Sequence, residues 1–193
     1  MWGYRREIAH TEARMYWLIV PSIVGALVGA MLLRVTPPAL FDRLVPALIF
    51  FATMLFAIQE RVQRFLNVAP DHHGSQWLIA AIGFQFLVSV YGGYFGAGMG
   101  ILMLLALAVL GHEDIHQMNG LKNLLGLFIN AVAASYFVVA GMVRVTDALI
   151  MAAGAAVGGV AAAGLARRMG RKAVRRVVIV IGFAMTAALL FRR

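Results

Sequence analysis

No cysteine occurs among the 193 residues, which excludes disulfides, thiolate metal centres and a cysteine nucleophile and says nothing about compartment. Charge is scarce as well. Asp, Glu, Lys and Arg make up 13% of the chain against 62% hydrophobic residues, with a mean hydropathy of +0.86, too apolar for a soluble domain. The carboxylates Glu7, Glu12, Asp42, Glu60, Asp71, Glu113, Asp114 and Asp147 all lie in connectors or at the ends of apolar runs. None is placed as an intramembrane proton relay. Low-complexity linkers are also absent, so residues 1–193 read as a single membrane domain.

What is present is a series of apolar runs: Met15–Leu33, Leu44–Ile58, Trp77–Val90, Ile101–Leu110, Leu121–Ala140, Ala148–Ala166 and Val177–Phe191. Several approach the roughly 20 residues needed to cross a hydrocarbon core, so a single signal segment does not account for them. The chain reads as an all-α, polytopic integral membrane protein. Its formal net charge of +9 would suggest nucleic acid in a soluble protein, but the basic residues fall between the apolar runs, where they set orientation. No nucleic-acid partner is expected.

From Trp77 to Gly111 no residue is charged, and a straight helix of that length would extend roughly 50 Å across a core of about 30 Å. The run is interrupted by YGGYFGAGMG, Tyr91 to Gly100. Split there, its halves are roughly 21 Å and 15 Å long, which predicts a glycine-rich re-entrant hairpin or broken helix. With a hairpin, the N-terminus and the connectors around Arg61–Arg64 and Arg167–Arg176 share one side and hold eleven Lys/Arg, against five on the other, Lys122 excluded. With one broken crossing the count is eight against eight. The positive-inside bias favours the hairpin.

An internal repeat agrees with that topology. GALVG (Gly25 to Gly29) is echoed by GAAVG (Gly154 to Gly158), and Arg43, Val45, Phe50 and Thr53 by Arg176, Val178, Phe183 and Thr186. On the hairpin topology the copies run in opposite directions, the inverted repeats of secondary transporters. Residues 15–65 then form the remainder of a first repeat and 77–193 a complete second one.

Irregular backbone at membrane depth is tolerated only where it is buried in protein or lines a wet cavity. Gly92, Gly93, Gly96, Gly98 and Gly100 permit such a turn and let a ligand approach the main chain. They place the start of the following helix inside the membrane, where free N–H groups and the positive dipole end favour an anion. In the next run, Asn119, Lys122, Asn123, Gly126 and Asn130 fall on one helical face. An intramembrane lysine is a functional candidate by default, and no carboxylate shares its stripe. The bland alternative for the glycines is close helix packing; for Lys122 it is snorkelling to the headgroups. The candidate substrate-binding set is Gly96, Gly98, Gly100, Asn119, Lys122, Asn123 and Asn130.

Other motifs read as bland. HEDIH, His112 to His116, fits the pattern of a zinc protease but occupies a short connector without a third ligand, so no catalytic zinc is expected. Ser22, Ser89 and Ser135 have no intramembrane histidine to activate them, and Met99 and Met103 read as packing, so neither an enzyme nor a cofactor is expected. RRMGRKAVRR, Arg167 to Arg176, suits a topological role and contact with membrane lipid.

The segments YGGYFGAGMGILMLLALAVLG and MNGLKNLLGLFINAVAASYFVVAGMV resemble the sulfite exporter TauE/SafE family of bacterial membrane permeases, as do GAAVGG, PSIVGALVGAMLL and LFDRLVPALIFFAT. The resemblance runs over the whole chain. It implies a permease or exporter for small anions such as sulfite or organosulfonates in the bacterial cytoplasmic (inner) membrane. Family members usually begin with a further glycine-rich segment and helix ahead of the Met15–Leu33 position, and nothing here corresponds to them. The alternatives are a missing N-terminal repeat, a homo-oligomer, or a non-transporting interaction or accessory subunit.

The charge split predicts an odd number of full crossings, with the N-terminus and the Arg167–Arg176 connector cytoplasmic and the C-terminus outside. Reporter fusions at the two termini check this, and both termini on one side would refute the hairpin topology.

Overall fold

The computed structural model describes residues 17–66, 75–109 and 115–191, and all regular structure among them is α-helical. The helices are α1 (Ile19–Val35), α2 (Pro38–Leu66), α3 (Ser75–Tyr94), α4 (Met99–Val109), α5 (Ile115–Val139), α6 (Val145–Met169) and α7 (Arg171–Phe191). Pro38–Glu60, Met118–Val139, Val145–Ala162 and Ala173–Phe191 are long and apolar enough to cross a membrane.

Local chemistry sets several boundaries. Thr36 closes α1, its N–H donating to Leu32 and Leu33 carbonyls and its hydroxyl to Leu32 at 2.6 Å. It precedes Pro37 and is extended, with ψ near 120°, as a following proline requires. Pro38 then opens α2 at the position where a missing N–H is harmless. α5 ends in a left-handed glycine, Gly141 at φ 69°, with Met142 donating to Phe137 and Gly141 to Val138, the paired bonds of a Schellman cap.

The helices extend beyond the apolar runs. α2 continues to Leu66 and passes through a buried Pro46, and α7 starts at Arg171 inside the basic connector. Arg, Gln, Glu and Lys are good helix formers, so a helix does not stop where its hydrophobicity does. α3 likewise runs through Gly92 and Gly93 to Tyr94, which at 1.5 Å per residue makes it about 30 Å long. The break is therefore short, confined to Phe95–Gly98.

α1 and α3 run parallel in close contact. Ser22 lies opposite Gln85, Gly25 opposite Ser89 and Gly29 opposite Gly93. A Cβ on Gly25 would stand 2.7 Å from the Phe86 carbonyl oxygen; one on Gly29 would collide with that of Val90, and one on Gly93 with that of Ala26. α5 packs on the same pair, and Val88, Met103, Leu107, Leu125 and Ile129 fill the core between α3, α4 and α5.

α2 and α7 form a second, antiparallel pair. Phe50 meets Phe183 edge-on with centroids 5.8 Å apart, and further along Arg175 binds Glu60 at 2.7 Å and the Ala57 carbonyl. α4 packs against α2, α3 and α5, so it lies where the two groups meet. α6 packs on α7, and residues 149–162 are exposed along their whole length.

Close approach in one place and open space in another give opposite expectations for the same substitution. Gly29→Ala is expected to lower stability by about 1–3 kcal/mol through overpacking, whereas Gly154→Ala, with nothing within 4 Å of its Cβ, should raise it by roughly 0.5–1 kcal/mol. Thermal unfolding midpoints in detergent measure both, and equal responses would contradict the α1–α3 contact.

Candidate functional site

Tyr91 is the centre of the break. Its carbonyl accepts from the N–H groups of Phe95 at 2.9 Å and Gly96 at 3.0 Å, and its hydroxyl reaches across the turn to donate to the Ala97 carbonyl at 2.6 Å. Gly96 and Gly98 take φ of 77° and 79°, values that a side chain strains. Met99 donates to the Gly96 carbonyl and Ile101 to that of Gly98. Among the described residues, no main-chain carbonyl accepts from the N–H of Gly98 or Gly100. These donors sit in the first turn of α4, where the helix dipole is positive.

Lys122 of α5 lies against this turn. A Cβ on Gly100 would stand 3.4 Å from Lys122 Cδ, so the lysine stem passes over the glycine. The ammonium donates to Asn119 Oδ1 at 2.9 Å, and as a group with three donors it retains capacity for other acceptors. Gly126 faces the same turn, with Met99 Cε 3.8 Å from its notional Cβ. The opposite wall is α2, where Ala52 and Leu55 stand 3.6 Å from a Cβ built on Gly98.

The candidate residues divide accordingly. Gly96, Gly98, Gly100, Asn119 and Lys122 converge on the start of α4, whereas Asn123 and Asn130 lie on the exposed side of α5. The periodicity that groups them is real, but the stripe straddles the edge of the buried face. His112, Glu113 and Asp114 of HEDIH fall outside the described residues. Among the described residues no cluster of three or more His, Cys, Asp or Glu is placed to hold a metal.

Sequence reasoning missed two features. One is the Tyr91 hydroxyl. The other is a fully buried polar trio between α1 and α3, in which Gln85 Nε2 donates to Ser22 Oγ at 2.9 Å and Ser89 Oγ at 3.3 Å. Both serines donate to carbonyls one turn back, at 2.7 Å. The available signal was a glutamine inside an uncharged run, four residues before Ser89.

A bundle with four spanning-length helices, broken internally beside a lysine, defines a multi-pass helical membrane protein in which Lys122, within a spanning-length helix, faces a helix start. The chain belongs to the sulfite exporter TauE/SafE family of membrane transporters, whose model matches residues 1–189. A Haemophilus influenzae protein named "Probable membrane transporter protein" is 21% identical over 194 residues, an alignment taking in 97% of this chain and 72% of that one. No solved structure matches the chain.

Gly98→Ala has steric room, with 3.6 Å to the nearest atoms, but retains the positive φ. It should cost about 1–2 kcal/mol from backbone conformation alone, while Gly126→Ala should cost nothing from strain. Unfolding midpoints of the two variants check this, and an unaffected Gly98→Ala would show that the turn has another conformation available.

Proposed function

We propose that the protein transports a small oxyanion of the sulfite or organosulfonate class across the bacterial cytoplasmic membrane, holding it between the start of α4 and Lys122. The observation that carries this reading is the lysine stem lying on Gly100, which joins a positive charge to N–H groups free of main-chain partners. An oxyanion entering a low-dielectric bundle must exchange its hydration for several donors. Gly98 and Gly100 N–H, the Lys122 ammonium and the Asn119 amide are of the required kind, with Gly96 shaping the turn. Asn123 and Asn130, on the exposed flank of α5, are assigned to the path by which the anion arrives. No covalent step and no cofactor is required.

Chain geometry supports a re-entrant α3–α4 hairpin. Gly100 is level with Lys122, about 10 Å along α5 from Ile115. Were α4 to continue away from the start of α5, its end at Val109 would lie roughly 24 Å from Ile115, beyond the roughly 20–22 Å that the connecting chain spans when extended. Folding back closes that gap. The inverted-repeat reading is supported by the antiparallel α2–α7 pair, where the matched residues Phe50 and Phe183 meet each other and the matched Thr53 and Thr186 are both buried. The name of the Haemophilus influenzae relative, a probable membrane transporter protein, agrees with transport.

A second reading, a membrane interaction or accessory subunit, draws on α6. Gly154, Gly158 and Gly159 have nothing within 4 Å of a Cβ, and small-residue faces commonly seat another helix.

Purified protein should be stabilised by sulfite and by an organosulfonate but not by a neutral sugar, and should carry the anions into liposomes. Lys122→Ala should weaken anion binding about tenfold or more, the scale of a lost charged hydrogen bond, with Lys122→Arg retaining part of it. A wild-type anion response in Lys122→Ala, or a preference for the sugar, would refute the assignment.

A further inference from the structure

We propose that Tyr91 is a positioning residue of the anion site, its hydroxyl fixing the Ala97–Gly98 peptide so that the Gly98 N–H is held ready for the ligand. The inference rests on the anion reading above and extends it to a residue that touches no part of the anion.

No peptide bond among the described residues is cis, and in a trans peptide the C=O and N–H point in opposite directions. The Ala97 carbonyl is bound by Tyr91 Oη at 2.6 Å. Fixing that carbonyl also fixes the Gly98 N–H on the other side of the same plane. That N–H donates to no main-chain carbonyl, so the turn itself does not hold it. Gly98 has φ of 79°, and glycine also populates negative φ readily. Rotation of the plane, which would turn the donor away from the site, is therefore opposed chiefly by the tyrosine hydroxyl.

The hydroxyl is itself held in place. The ring of Tyr91 meets Phe51 of α2 edge-on at 5.7 Å and 82°, and Phe95 in a tilted contact at 6.3 Å. The Tyr91 main chain accepts the two N–H groups that end α3. Three points of attachment thus make the ring a rigid arm spanning the break. Packing alone would be served by phenylalanine. The hydroxyl is the part that packing does not explain, and its partner among the described residues is the carbonyl whose peptide carries the candidate donor.

The test uses the full chain in detergent with sulfite as probe, reading the apparent affinity from the shift in unfolding midpoint. Tyr91→Phe keeps both ring contacts and should lower sulfite affinity roughly two- to tenfold, the range of one neutral hydrogen bond, while the sulfite-free midpoint stays near wild type. Phe51→Leu removes a ring contact but leaves the hydroxyl bond, and should lower the sulfite-free midpoint more than the affinity. Combining Tyr91→Phe with Lys122→Ala should give less than the product of the separate losses, because both act on one bound anion. Unchanged affinity in Tyr91→Phe, with binding lost in Lys122→Ala, overturns the role of Tyr91 and leaves the anion reading standing. A loss in Tyr91→Phe matched by an equally lowered sulfite-free midpoint assigns the residue to packing and overturns the proposal too. Absence of any sulfite response in wild type refutes the anion reading, and this inference with it.

Discussion

Main-chain polar groups at membrane depth are tolerated outside a helix only where protein or a wet cavity meets them, a constraint that falls on the four residues Phe95–Gly98, half-buried with Ala97 exposed, which form the break between α3 and α4. Tyr91 answers most of it, with two bonds to its carbonyl and one from its hydroxyl. α1, α2 and α5 flank the turn, and Ala97 stays exposed. α1 approaches α3 closely enough that Gly29 faces the Val90 carbonyl and the Tyr94 amide, which brings the wall of the bundle against the end of α3. α2 closes the other side with Phe51, Ala52 and Leu55, and α5 contributes Lys122 and Gly126. A larger residue at Gly92 would displace Met99 and Ile129, so the enclosure leaves little slack.

The enclosure also joins the two helical groups. α1, α3 and α5 share a core, α2 and α7 form their own pair, and α4 packs against both, beside the direct contacts of α2 with α3. Two packed groups meeting at irregular backbone is the arrangement in which one group can rock against the other around a fixed site. The contacts across the meeting line are small and mostly apolar: Phe51 on Tyr91, Phe41 on Tyr94, and Ala52 and Leu55 around Gly98. Within the α2–α7 pair the contacts are firmer, with Arg175 bound to both Glu60 and the Ala57 carbonyl and Thr53 pressed on Gly182. The contacts within the α2–α7 pair thus include an ion pair, while those named across the meeting line are ring and aliphatic contacts.

Much of this was legible in the sequence because hydrophobic length and glycine density are strong signals. Each apolar run corresponds to a helix among the described residues, and α3 and α4 are separated at Phe95–Gly98. Helix ends were not legible, since Gly92 and Gly93 remain helical where α1 and Met99 pack on them, and charged residues extend α2 and α7 beyond their apolar runs. The stripe on α5 was correct as a stripe, but periodicity fixes the spacing of residues around a helix and leaves open where the neighbours are. Asn119 and Lys122 fell toward α4, Asn123 and Asn130 toward the open side. Tyr91 was invisible for a different reason. Its role depends on a bond six residues ahead across a turn, a distance that no helical pattern encodes.

GALVG and GAAVG, nearly the same five residues, occupy opposite environments. On α1 the glycines are buried and touch the backbone of α3; on α6 they face open space. Composition sharpens the contrast, because residues 152–162 of α6 are Ala, Gly and Val alone and so offer lipid little apolar side chain. Small residues gain most when another backbone comes close enough for dispersion contacts, as on α1. Where α1 draws its packing from the glycine-rich helix beside it, the same motif on α6 meets no other helix among the described residues, so near-identical sequence gives close packing on one helix and an exposed face on the other.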